Sequence, residues 1–112
     1  MSNASVRAAS SGPAPVFAAL GDRTRLALLA KLSDGRLRSI TALSADVRLT
    51  RQAVTKHLHV LRAAGLVSSV RIGRESRFTY RDGPIAQARA YLDTVAAQWD
   101  DALSRLRTLV EG

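Results

Sequence analysis

Gln52, Thr55, Lys56 and His59 have residue types and a spacing that suit one kind of chemistry. Their successive spacings are three, one and three positions, and at about 100° per residue they share one side of a helix. An amide, a hydroxyl, an ammonium and an imidazole are hydrogen-bonding groups of the size that reads base edges in a major groove. The opposite side of the same run carries Val54, Leu58 and Leu61, with Ala53, His57, Val60 and Ala64 beside them. An ordinary solvated face satisfies the same pattern, so the rest of the chain has to separate the two readings.

The elements that must position these groups are legible from their ends. Thr50 has the side chain of a helix N-cap and Gly65 the backbone freedom of a helix end, so a helix of about four turns fits between them. Ahead of it, residues 39–47 suit a short helix with Ile40, Leu43 and Val47 pointing inward, joined to the next through Arg48 and Leu49. Two short helices with a tight link, the second polar on its outer face, form a helix-turn-helix pattern. Further upstream, Asp22 is the natural cap of DRTRLALLAKLS, which places Leu26, Leu29 and Ala30 on one face with Leu28 and Leu32 flanking it. Asp34-Gly35 closes that helix. Pro13 and Pro15 suit the first turn of a helix bearing Val16, Phe17 and Leu20. Residues 1–12 are small and polar and are expected to be a disordered lead-in to a single domain over 13–112.

After Gly65 the apolar period shortens to about two. LVSSVRI, GRES and RFTYR read as a two-stranded hairpin about a turn at Gly73, crowded by Arg71, Arg74, Arg77 and Arg81. Guanidinium groups near one turn suit phosphates or a minor groove, although edge-strand arginines also deter aggregation. Pro84 opens a last helix with a stripe of Ile85, Ala88, Leu92, Val95, Ala96, Trp99, Leu103, Leu106 and Val110. That stripe is long for a helix covering so small a domain. Leu92, Val95, Trp99, Leu103 and Leu106, joined by Val16, Phe17 and Leu20, are therefore expected to meet a second subunit, the alternative being a purely intramolecular core helix.

Charge separates the readings of the polar face. The net charge is +8, yet residues 36–81 hold ten basic side chains against two acidic ones, while residues 82–112 hold three against five. A solubility device would be spread evenly; a surface for a polyanion would be one-sided in this way. One Trp, two Tyr and two Phe are too few for a single-strand stacking platform, so duplex DNA is the expected partner. The chain lacks cysteine, a signal-peptide core and any apolar run of about 20 residues, which points to a cytoplasmic protein with no membrane partner. Catalysis is not expected: there is no nucleophile paired with a base and no glycine-rich phosphate loop.

The order of parts resembles the ArsR family of bacterial winged helix-turn-helix regulators over roughly residues 15 to 110. ALGDRTRLALLAKL, TRQAVTKHLHVLRAAGLV, the wing RIGRESRFTYR and the terminal helix carry the likeness, the second most specifically. The resemblance implies a mainly α fold with a two-stranded β-wing and a long C-terminal helix. It also implies a homodimer on an imperfect palindrome in a promoter, repressing until a signal is sensed, the alternatives being an unidentified small-molecule effector or control by the regulator's own abundance alone. Thr50, Arg51, Gln52, Thr55, Lys56, His59, Arg62, Arg71, Arg74 and Arg77 are the expected DNA-contacting set.

The chain departs from the family's metal sensors, which carry cysteines near the first helix of the helix-turn-helix or His and carboxylate pairs on the terminal helix. Residues 36–47 hold neither Cys nor His, and the last helix has Asp93, Asp100 and Asp101 without a His. No metal site or cofactor is expected. His57 reads as a core histidine and His59 as an outward one, and at i and i+2 they point apart. A metal-responsive repressor with atypical ligands remains an alternative, as does a winged helix used for protein contacts or non-specific DNA architecture.

Overall fold

The computed structural model describes residues 12–45 and 47–112. The expected lead-in over residues 1–12 thus lies outside the described part, except for Gly12. Helices α1 (Ala14–Leu20) and α2 (Arg23–Leu32) come first, then the short strand β1 (Arg38–Ser39) and helix α3 (Ile40–Ser44). Helix α4 (Arg51–Ala63), strands β2 (Val67–Ile72) and β3 (Glu75–Tyr80), and helix α5 (Gly83–Glu111) complete the fold.

Three helices start where a side-chain oxygen can accept from a free backbone N–H. Asp22 Oδ1 accepts from Arg25 N at 3.0 Å, Ser39 Oγ from Ala42 N at 3.1 Å and Thr50 Oγ1 from Ala53 N at 3.1 Å. At its other end α4 closes with Gly65 N donating to Arg62 O at 2.9 Å and Leu66 N to Leu61 O at 2.9 Å, the paired bonds of a Schellman cap. The cap requires the left-handed φ of +77° at Gly65. The Cβ of any other residue there would also lie 3.3 Å from Pro84 Cγ, so this glycine seats the start of α5 against the end of α4.

The wing is the antiparallel β2–β3 hairpin, with Ile72 paired to Glu75 across Gly73-Arg74. Within this turn positive φ is confined to Gly73, at +63°, as a type II′ turn requires. The expected two strands are joined by a third: Arg38 pairs with Phe78 and Ser39 with Arg77, giving the order β1-β3-β2. Two residues are too few to show a period of two, so β1 leaves no pattern in the sequence. Helix α3 is also shorter than expected, because Ser39 is its cap and it ends at Ser44.

Leu28, Leu32, Leu43, Val54, Leu58, Leu61, Leu66 and Phe78 form the fully buried centre. The α2 face is turned from the expected one: Leu28, Leu29 and Leu32 are inside, while Leu26 and Ala30 are exposed. Apolar residues surround most of that helix, so periodicity alone cannot choose its inner side; packing against α4 chooses it. Val60 is corrected likewise. Expected on the inner arc of α4, it is 42% exposed and lines a hollow of about 420 Å³ with Pro15, Ala18, Ala19, Arg25, Ala63 and Ala64.

The last helix is about 43 Å long at 1.5 Å per residue, and Ala88 is its one buried residue among those described. Ile85 packs on the core, and the Tyr91 ring meets Phe17 at 6.1 Å between centroids. Val95 is half-buried, but Leu92, Trp99, Leu103, Leu106, Leu109 and Val110 are exposed. Val16, grouped with the expected interface, is buried in the core of its own chain, and Phe17 and Leu20 pack partly against that core.

Candidate nucleic-acid interface

Leu58, Leu61 and Val54 anchor α4 in the core and thereby turn its other side outward. Gln52, Lys56 and His59 are exposed there and Thr55 is half-buried. With Arg51 and Ile40 they line an open hollow of about 410 Å³. A second hollow of about 180 Å³ is lined by Ser39, Ile40, Thr41, Arg51, Arg74, Glu75 and Ser76. Ile40 and Arg51 belong to both, so one strip runs from the outer face of α4 to the turn of the wing. Its donors are cationic or neutral, and Glu75 is its one carboxylate.

Hydrogen bonds within the chain limit what each group can offer. Thr55 Oγ1 donates to Arg51 O at 2.7 Å, which uses its proton and leaves it an acceptor toward an outside group. Thr50 Oγ1 is engaged as the cap of α4, so its part here is to hold the helix end. Arg62 stands ten residues beyond Gln52, roughly 15 Å along the axis, and its Nη1 donates to Ser69 Oγ at 3.1 Å. It lies in the last turn of α4 and lines neither hollow.

The register of the wing divides its arginines. Arg77 pairs with Val70 and Arg71 with Ser76, so Arg71 lies on the face that Phe78 buries further down, and Arg77 on the other. Arg77 Nη2 is 3.7 Å from Glu75 Oε1, whereas Arg71 and Arg74 are exposed near the turn. The wing therefore presents positive charge on both faces and at its tip.

Two features escaped the sequence. Ile40, expected inward, is half-buried and does pack against the core, but it also forms a wall of both hollows, a second role that the sequence did not signal. His57, expected in the core, is half-buried with its Nδ1 3.3 Å from Arg25 Nη1 and 3.8 Å from Asp22 Oδ1. It sits on a polar seam between α2 and α4. The carboxyl of Asp22 is held below its ordinary range, first by the backbone N–H of Arg25 and then, against some desolvation, by the Arg25 guanidinium and the His57 ring. Among the described residues no three His, Cys, Asp or Glu side chains gather to hold a metal, and no helix is long and apolar enough to cross a membrane.

Comparison with known proteins gives this geometry a lineage. Residues 20–70 match a family described as a helix-turn-helix domain. An uncharacterized HTH-type transcriptional regulator of Bacillus subtilis, YuzN, is 38% identical over 76 residues, covering 62% of this chain and 83% of that protein. The HTH-type transcriptional regulator CmtR of Mycobacterium tuberculosis is 38% identical over 82 residues, covering 73% and 69% respectively. Among solved structures, an ArsR-like transcriptional regulator from Rhodococcus superposes with a TM-score of 0.75 at 37% identity, covering 87% of this chain and 91% of that one. A helix-turn-helix with a wing, a long terminal helix and these relatives converge: the chain belongs to the ArsR family of winged helix-turn-helix transcriptional regulators, and is a DNA-binding protein, not an enzyme.

Proposed function

We propose that the protein is a homodimeric repressor that binds an imperfect palindrome in a promoter, acting in the cytoplasm without a thiolate metal site. The observation that carries this reading is the open strip along α4, where Gln52, Thr55, Lys56 and His59 stand together beside Arg51. Inserted in a major groove, these side chains meet base edges, with Gln52 suited to the paired donor and acceptor of adenine. Arg51, Arg62, Arg71, Arg74 and Arg77 are assigned to phosphates or the minor groove, which fix register without carrying sequence. Thr50 contributes by capping α4, with its hydroxyl proton left for a phosphate.

The dimer is supported by the exposed stripe of α5. Leu92, Trp99, Leu103 and Leu106, continued by Val95, give a second copy an apolar surface that one domain leaves uncovered. Two copies of α4 would then present themselves about one DNA turn apart, roughly 34 Å. Repression follows where such a site overlaps a promoter, with release by an unidentified small-molecule effector.

The test is a fluorescence-anisotropy titration on a duplex recovered by selection from a randomised pool, against a random duplex. Gln52→Ala is expected to lower affinity for the selected duplex by about 1–3 kcal/mol while leaving the random one nearly unchanged. Equal loss on both duplexes would return the polar face of α4 to a phosphate-binding or architectural role.

A further inference from the structure

One guanidinium joins three helices behind the reading face. Arg25 Nε donates to Ala19 O at 2.6 Å and Nη2 to Ala18 O at 3.3 Å, so the guanidinium caps the end of α1, the second carbonyl also accepting from Gly21 N at 3.2 Å. Its backbone N–H is held by the cap Asp22, and its Nη1 lies 3.3 Å from His57 Nδ1 on α4. A guanidinium can only donate, so this contact makes Nδ1 the acceptor and leaves the proton of the neutral ring on Nε2.

We propose that Arg25 is a positioning residue for DNA reading: through the neutral ring of His57 it sets the rotation of α4, and a proton on His57 Nδ1 releases that hold and weakens sequence-selective binding. This rests on the DNA-reading role proposed for α4. A protonated Nδ1 cannot accept from Arg25, and the two cations then face one another at hydrogen-bond distance. The acceptor left to the ring is Asp22 Oδ1, 3.8 Å away, so the imidazole turns from Arg25 toward the carboxylate. His57 follows Lys56 directly and lies two residues from Thr55, so a small rotation of α4 displaces the groups that must meet base edges within hydrogen-bond tolerance.

Charges from the elements packed on α4 leave this exchange to two groups. Helices α1 and α3 carry no titratable side chain, β2 carries only Arg71, near the hairpin turn, and the start of α5, seated against the far end of α4, brings its cap Asp82 and then Arg89. Helix α2 adds Arg23 and Lys31, the latter donating to Leu43 O at 3.2 Å. On α4 itself Arg51, Lys56 and His59 face outward and Arg62 reaches Ser69. Asp22 and Arg25 are thus the charged groups in described contact with the ring.

The experiment has two arms. Nitrogen-15 spectra of the histidine rings in the full chain at neutral pH are expected to show His57 as the Nε2–H tautomer with a bare Nδ1 that shifts in Arg25→Lys. The second arm measures the ratio of affinities for the selected and random duplexes as pH falls through the range, roughly 8 to 5, in which an imidazole gains charge. The wild-type ratio is expected to fall at least about fivefold. It should stay level in His57→Gln, which accepts but takes no proton, and still fall in His59→Gln. A protonated Nδ1 in the neutral ring overturns the proposal, as does a fall that survives in His57→Gln. A wild-type protein with no duplex preference at any pH, beside the expected tautomer, overturns the DNA-reading role and the proposal with it.

Discussion

Asp22 shows how one side chain serves both stability and the site. It caps α2 and faces both Arg25 and His57, and its carboxyl titrates below the ordinary range because the folded chain stabilises the ionised form. A depressed folded value means that its contribution is present above the ordinary carboxylate range and is lost as pH falls through the folded value. Denaturant unfolding across acid pH should therefore show stability declining on acidification, with a shallower decline in Asp22→Asn. An equal slope in the two proteins would deny the cap its electrostatic part. At this scale the sequence is partly legible: the polar face of α4 is readable because Val54, Leu58 and Leu61 fix the side opposite to it, although Val60 beside them proves exposed. The seat of His57 is not, because a half-polar environment made by Arg25, more than thirty positions away in sequence, leaves no periodic trace.

Among the elements, the wing and the cap of α4 make separable predictions. Arg74 is exposed at the turn and lines the hollow that runs to α4. Arg74→Ala should weaken binding to all duplexes alike and lower the slope of log affinity against log salt by about one. Gly65→Ala should destabilise the fold by about 1–2 kcal/mol, because alanine must adopt a left-handed φ with Pro84 already in contact; thermal unfolding measures it. Thr50 and Gly65 mark both ends of α4 in the sequence, since caps are chemical choices made locally. Strand β1 and the true inner face of α2 are not marked there. Both are decided by partners distant in sequence, β1 by its pairing with Arg77 and Phe78, and α2 by which of its many apolar residues meet α4.

For the whole molecule, α5 extends about 43 Å and buries little of its stripe against its own domain. Sedimentation at micromolar concentration is expected to give a dimer, and Leu103→Glu combined with Leu106→Glu to give a folded monomer that binds a full site at least tenfold more weakly. A wild-type monomer would leave the exposed stripe without its proposed partner. The concentration of positive charge in residues 36–81 is legible in the sequence, and the fold puts much of it on α4 and the wing. The measurement that tests the proposed function most directly is selection of bound sequences from a randomised duplex pool by the wild-type protein. A homodimer reading DNA through α4 predicts an inverted repeat with half-site centres about 34 Å apart along the duplex, or a whole number of turns. Recovery of no common sequence, or of a single half-site without two-fold symmetry, would contradict it.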